Sequence, residues 1–413
     1  MKKTKHLRKI DSFVYMASNL VSFGLLFLIN VIMTNYSISD EIYGEYKYAV
    51  NFVLTMQAIF SFGITWSCAS LIARDDVKNK DGIITASLIY TFIIGVIVTV
   101  GLYIVSGITS ALRISAVQEA VIVFPFVTVF LLQKLVDQIY MGLGQANRLS
   151  LYNVAPNILI CIGLSLHIFF VKNINFQYAI MLHLISYVIV IVPKLLKIKY
   201  NFYYFKNSTI TLFEDIRTSG FKVHFSSIFT ISATQIIVLV CGKLFGYSEY
   251  GYYSLAASLA SIFQFIGSSV AVVNFRHYAN IDSISRKDIA FMVVLGSAAY
   301  SLMYSLSDVV FYWFYPESYG PTILYLKILC LSNLIYGFSM LFNRFFIGKG
   351  QGGNVMKVSF ITAVATVLIN IPMIVLFGMR GMAVAALVVS VVNLLAYIYE
   401  YNAYTKVTKG KEK

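Results

Sequence analysis

Apolar residues in this chain come in long runs separated by short polar turns. The runs occupy about 13–33, 48–70, 83–106, 116–140, 151–171, 177–193, 221–242, 253–275, 289–314, 322–342, 356–376 and 380–401. A helix of roughly 20 apolar residues crosses about 30 Å of hydrocarbon, and a helix satisfies its own backbone hydrogen bonds there. The pattern therefore predicts twelve membrane-spanning helices. The first run follows the basic stretch MKKTKHLRKI, as a signal peptide would. No small-residue cleavage pattern follows Phe27, and Asn30 to Asn35 lead straight into a loop that recurs later, so a retained first helix is expected.

The recurrence divides the chain in two. IYGEYKYAVNFVLTMQ (Ile42 to Gln57) returns in outline as EYGYYSLAASLASIFQ (Glu249 to Gln264), and MGLGQAN at Met141 returns as IGKGQGG at Ile347. Both matches lie about 206 to 207 residues apart and keep their order, which implies two related halves of six spans each. An even number of crossings gives both halves the same sense, so an axis near the membrane normal should relate them. Tyr43, Gly44, Tyr250 and Gly251 recur after short outer turns, which favours helix-start or packing roles. Gly142, Gly144, Gly348 and Gly350 fall in tight turns on the other side. The domains expected are residues 1–193, a linker at 194–220, residues 221–405 and a basic tail at 406–413.

Composition closes off other classes. The chain is 59% hydrophobic and 12% charged, against about 25% charged in soluble domains. Its formal charge of +14 reads as an orientation signal rather than a nucleic-acid footprint. With the N-terminus inside, the outer side holds only Lys47, Arg113, Lys172, Lys243 and Arg380, Lys134 and Lys327 fall within spans, and every other Lys and Arg is cytoplasmic. Both termini are expected in the cytoplasm.

The linker sequence PKLLKIKYNFYYFKNSTITLFEDIRTSGFK spaces Phe213, Ile216, Phe221 and Phe225 as an amphipathic surface helix. A solvated connector is the alternative. Cys68, Cys161, Cys241 and Cys330 form no close pair and read as apolar packers. His6, His167, His183, His224 and His277 show no metal-ligand spacing, and the glycine-rich turns lack the GKS or GKT of a phosphate-binding loop. No metal, no cofactor and no covalent chemistry are expected.

The segments NYSISDEIYGEYKYAVNFVLTMQAIFSFGI, MGLGQANRLSLYNV, KLFGYSEYGYYSLAASLASIFQ and FFIGKGQGGNVMKVSFITAVATVLINIPMIVLFGMRGMAVAALVVS carry a resemblance. Over Ser12 to Tyr404 the chain resembles the polysaccharide flippase branch of the multidrug, oligosaccharidyl-lipid and polysaccharide (MOP) exporter superfamily. The resemblance implies an all-α polytopic membrane protein, two six-helix bundles in a V-shaped, MATE-like arrangement. It also implies alternating-access transfer of a polyprenyl-diphosphate-linked oligosaccharide to the outer leaflet of the bacterial inner membrane, for O-antigen or capsule. The implied partners are the cargo, membrane lipids, a polysaccharide polymerase and a chain-length regulator. A proton or sodium gradient is the implied drive.

Charges inside spans are functional by default in a membrane. Lys134 and Lys327 are candidates for contact with the diphosphate or acidic sugars. The alternative pairs Lys134 with Asp137 and lets Lys327 snorkel to an interface. Arg74, Arg276 and Arg344 at cytoplasmic mouths could collect an anionic head by guanidinium forks, or serve as ordinary positive-inside anchors. Asp308, Glu119 and Asp137 are candidates for ion coupling, because a carboxylate in a low dielectric can hold a proton near neutral pH. Two other functions compete. A multidrug or cation antiporter would need intramembrane acids, and a polymerase or ligase would need a large outer loop, whereas the outer loops here are short.

Overall fold

A membrane helix needs its ends closed as well as an apolar middle, and the closures here are visible in a computed structural model. It describes residues 2–73, 77, 79–111, 121–143, 145–221, 224–225, 233–273, 283–349 and 351–411. The chain is all-α, with a single two-residue bridge, Ser37 to Ile174, among the described residues.

Residues 1–239 form one compact unit and 240–413 a second. The first holds α1 (Lys2–Tyr36), α2 (Asp40–Ile59), α3 (Ile64–Ala73), α4 (Lys80–Ala111), α5 (Phe124–Gly142), α6 (Ala146–Val171), α7 (Phe176–Leu196) and α8 (Phe205–Asp215). Asp40 and Glu41 sit in the first turn of α2, where the helix dipole favours negative charge. Pro125 opens α5, and the Asn175 side chain caps α7 by accepting from the Tyr178 amide. A helix α9 (Ala233–Phe245) straddles the unit boundary. The second unit continues with α10 (Tyr247–Val273), α11 (Arg286–Phe314), α12 (Pro321–Gly348) and α13 (Gly352–Lys411).

Seven helices among the described residues are long and apolar enough to cross a bilayer, or eight if α2 and α3 are one span bent by 63°. The 60-residue α13 holds two of the expected spans and is interrupted at Gly378, whose φ of 60° suits only a residue without a Cβ. The α2/α3 bend runs through Phe62 (φ 43°) and Gly63 (φ 76°).

The repeat persists in the helix register. α2 and α10 begin at residues 40 and 247, α4 and α11 at 80 and 286, and α6 and α13 at 146 and 352. Tyr43 and Tyr250 are both fully buried, as are Gly44 and Gly251 beside them. Tyr43 donates to Asn30 Oδ1 at 3.1 Å, tying α2 to α1. Gly142 and Gly348 end α5 and α12, while Gly144 and Gly350 lie outside the described residues.

The linker is not a solvated connector. Leu212 of α8 is fully buried in a cluster with Ile64 and Leu71 of α3, Ile84 of α4 and Leu135 of α5. The buried face is Ser208, Leu212 and Asp215, whereas Phe213, Phe221 and Phe225 are exposed and Ile216 is half-buried. A π-turn, Ile216–Gly220, follows α8 and changes the 3.6-residue period before Phe221 and Phe225.

Of the cysteines, Cys68, Cys241 and Cys330 are buried and unbridged, and Cys161 is half-buried.

Candidate functional site

Each unit places charge and hydroxyl groups among its spans. In the first, α2, α5 and α7 bring Tyr46, Phe130, His183 and Tyr187 together. The Tyr46 hydroxyl and His183 Nδ1 are hydrogen bonded at 2.9 Å, and the imidazole stacks parallel to Phe130 and against Tyr187. Lys47, half-buried one residue on, lies 5.4 and 5.8 Å from the Tyr43 and Tyr46 ring centres.

Toward the linker end of the same unit, Asp137 does not pair with Lys134. Its carboxylate meets Lys194 of α7 at 3.6 Å, and Lys194 is 1% exposed, with its ammonium 4.5 Å from the Tyr152 ring centre. Three residues along α5 share a face only loosely, separated by about 60° of rotation at 3.6 residues per turn. That rotation is enough for α7 to supply the nearer cation. Lys134 consequently makes no ion pair with any described residue and remains half-buried. It sits close enough to His224 for their charges to interact. His224, buried in turn, is bonded through Nδ1 to Ser61 at the α2/α3 bend, while its Nε2 has no partner among the described residues.

In the second unit, Lys327 Nζ donates to Asp308 Oδ2 at 2.9 Å, under the Tyr304 ring. Asp308 is 65% exposed on the unit. Asp308 lies within the candidate span of α11, on a side that the unit itself leaves uncovered. Arg344, half-buried in α12, makes no ion pair with a described residue. It lies within electrostatic reach of Tyr336 and Tyr397. Arg74, Arg276 and Glu119 lie outside the described residues.

Sequence reasoning missed three groups. Lys47 and Lys194 were grouped with loop charges, yet α2 begins seven residues before Lys47 and α7 runs two residues past Lys194. The third is a buried ladder in the second unit. Asn393 donates to Thr362 Oγ1 at 2.8 Å, Ser332 and Ser390 are bonded at 2.8 Å, and Asn370 donates to the Thr366 carbonyl. Its sequence signal is a Thr, Thr, Asn spacing of four within an apolar run. Among the described residues no three His, Cys, Asp or Glu side chains converge to hold a metal.

Lys134 in the first unit and Arg344 in the second can each attract an anion, and Arg344 has the hydroxyls of Tyr336 and Tyr397 within electrostatic reach.

The fold is shared with solved transporters. It is similar to an inward-facing multidrug resistance MATE family transporter of the MOP superfamily, at TM-score 0.69 and 17% identity over 96% of this chain and 99% of that one. It is similar to the lipid II flippase MurJ in an inward closed conformation, at TM-score 0.71 and 14% identity over 94% and 87%. A MOP superfamily transporter from Pyrococcus furiosus with a binding pocket of reverse polarity matches at TM-score 0.63 and 16% identity over 97% and 95%. No curated protein sequence matches the chain. Residues 10–275 match the family described as polysaccharide biosynthesis protein. That stretch is well over half of the chain, which therefore belongs to this family.

Proposed function

We propose that the protein is a flippase for polyprenyl-diphosphate-linked oligosaccharides, moving each repeat unit from the cytoplasmic to the outer leaflet of a bacterial inner membrane for O-antigen or capsule synthesis. The observation that carries this reading beyond family and fold is the ammonium of Lys134, which makes no ion pair among the described residues. A charge half-buried among membrane spans is unfavourable by kcal/mol amounts unless it is paired, and a partner that arrives with the cargo would pair it. A diphosphate is such a partner. Arg344 plays the corresponding part in the second unit.

The cargo presents a charged head, several sugars and a long apolar tail. Only the head and sugars need a polar path, because the tail stays in lipid. Rocking of two related bundles exposes that path to one side and then the other without altering a covalent bond. Tyr and Asn groups near the path supply hydrogen bonds and ring faces for sugars. We assign coupling to Asp137 rather than Asp308, since Asp137 is the less exposed of the two and its Oδ1 has no hydrogen bond. The polymerase and chain-length regulator act on the product at the outer face, and the termini lie in the cytoplasm.

Among described residues, the intramembrane carboxylates Asp137 and Asp308 are each paired with lysine. That leaves neither free for an organic cation and disfavours a drug antiporter. In proteoliposomes, lipid-linked oligosaccharide should cross with the native chain, slow at least tenfold in Lys134→Gln and recover in Lys134→Arg. Absence of transfer with native cargo under every ion gradient would overturn the proposal.

A further inference from the structure

The linker end of the first unit carries a cavity whose wall does not include Lys134. Its volume is about 520 Å³, within the ~300–1,000 Å³ of ordinary ligand pockets. The wall runs from Asp81 on α4 past Tyr140 on α5, then Gln145 and Tyr152 at the start of α6, to Lys197 and Lys199 beyond α7.

Three observations define what would fit. First, Lys197 and Lys199 face one cavity, and neither makes an ion pair with a described residue. Two ammonium groups on one wall, with the Asp137-paired Lys194 behind Tyr152, give that wall a positive potential. Gln145 and Tyr152 place the start of the 26-residue α6 in the same wall. Second, the lining carries one carboxylate, Asp81, without an ion pair among the described residues. An anionic ligand held only by its charge would avoid it. A ligand that also carries hydroxyl groups would donate to it. Third, the chain around the two lysines is apolar and outward-facing. Leu196 is 79% exposed, Phe202 66% and Tyr203 88%, the pattern of a segment at a bilayer interface. The Asn201 amide donates to Thr85 Oγ1 at 2.8 Å, holding this segment against α4 over the cavity.

We propose that this cavity binds a phosphodiester or phosphomonoester bearing a hydroxylated head, the chemistry of a polyol phospholipid or of its free headgroup phosphate. Lys197 and Lys199 hold the phosphate, and Asp81 accepts from the head hydroxyls. Basic pockets between membrane helices take anionic lipid heads by this logic. The site is separate from Lys134 and does not depend on the cargo.

The test uses the purified full chain in detergent, with binding read by native mass spectrometry and by calorimetry. The probes are dihexanoyl phosphatidylglycerol, dihexanoyl phosphatidylcholine, dihexanoyl phosphatidic acid, glycerol 3-phosphate and farnesyl diphosphate. Phosphatidylglycerol should bind at least tenfold tighter than phosphatidylcholine. Lys197→Gln with Lys199→Gln should remove that preference, and Lys197→Arg with Lys199→Arg should keep it. Asp81→Asn should weaken phosphatidylglycerol about threefold and leave phosphatidic acid unchanged. Glycerol 3-phosphate binding with the same sensitivity to the variants, as tight as the lipid, also supports the site and identifies a soluble source. Two results overturn the proposal: phosphatidylglycerol affinity unaffected by the double Gln variant, or displacement of phosphatidylglycerol by farnesyl diphosphate, which would make the cavity part of the cargo path. Both lysines are exposed, and unchanged thermal unfolding of the variants confirms that their fold is intact.

Discussion

Among the described residues, an aspartate–lysine pair joins neighbouring helices in each unit, and the two pairs have different surroundings. Asp137 and Lys194 bridge α5 and α7 in the first unit at 3.6 Å, with the lysine 1% exposed. Asp308 and Lys327 bridge α11 and α12 in the second at 2.9 Å, with the aspartate 65% exposed. The shorter distance belongs to the more exposed pair, which should matter less for stability. Coulomb attraction is screened where water or headgroups reach the charges, while a partner removed from a buried pair leaves an uncompensated ion. Burial, rather than separation, should rank the two.

That ranking gives the largest expected effect. Lys194→Met alone should destabilise the protein by about 3–5 kcal/mol, as for other buried pairs broken on one side. Adding Asp137→Asn should restore most of the loss. Lys327→Met should change stability by less than ~1 kcal/mol. Thermal unfolding in detergent, with a double-mutant cycle at each pair, measures all of these. Equal losses at the two lysines would break the comparison.

A second contrast lies in the repeated helix itself. α2 and α10 begin in register with buried Tyr43 and Tyr250, yet α2 gives way to α3 through a 63° bend, whereas α10 continues unbroken to Val273. Glycine placement explains the divergence. At the bend, a Cβ on Gly63 would come 2.7 Å from the Gly220 carbonyl oxygen, in a residue already at φ 76°. The linker thus docks backbone to backbone on the broken helix. In the second unit the close approach falls on the partner helix, where a Cβ on Gly337 of α12 would stand 3.1 Å from the Gln264 carbonyl oxygen. Gly63→Val should therefore cost about 2–4 kcal/mol from strain and overlap together. Gly337→Ala should cost about 1 kcal/mol, since a shift of a few tenths of an ångström relieves it. Unfolding temperatures that reverse this order would show that the linker contact at Gly220 is loose.

The two contrasts also mark where sequence reasoning works. Apolar runs and the 206-residue offset expose the fold because membrane spanning depends on composition over many residues, which no single contact can overrule. Lys134 stands out for the same reason, as a charge deep in an apolar run. Its partner does not. Position on a helix says which residues share a face, but whether Asp137 meets Lys134 or Lys194 depends on how α7 approaches α5. Lys47 and Lys194 hide because helices extend past their apolar runs, and the basic-residue pattern assigns both to loops. The bend at Phe62 and Gly63 left little signal, since one glycine after an aromatic is common in this chain. The buried face of α8, Ser208, Leu212 and Asp215, left no apolar signal because only one of its three residues is hydrophobic.

The smallest expected effect tests the repeat at one atom. Tyr46 and Tyr253 stand 207 residues apart, and both are buried. The Tyr46 hydroxyl is bonded to His183, whereas Tyr253 makes an edge-on ring contact with Tyr325 and its hydroxyl has no hydrogen-bond partner among the described residues. Removing one hydroxyl should therefore have unequal effects. Tyr46→Phe leaves His183 Nδ1 buried without its partner and should cost about 1–2 kcal/mol. Tyr253→Phe removes only an unbonded hydroxyl and should lie within ~0.5 kcal/mol of the native chain. A cycle of Tyr46→Phe with His183→Phe should show a coupling of about 1 kcal/mol. Zero coupling would mean that the imidazole is held by Phe130 and Tyr187 alone, and that the two units differ here in packing rather than in hydrogen bonding.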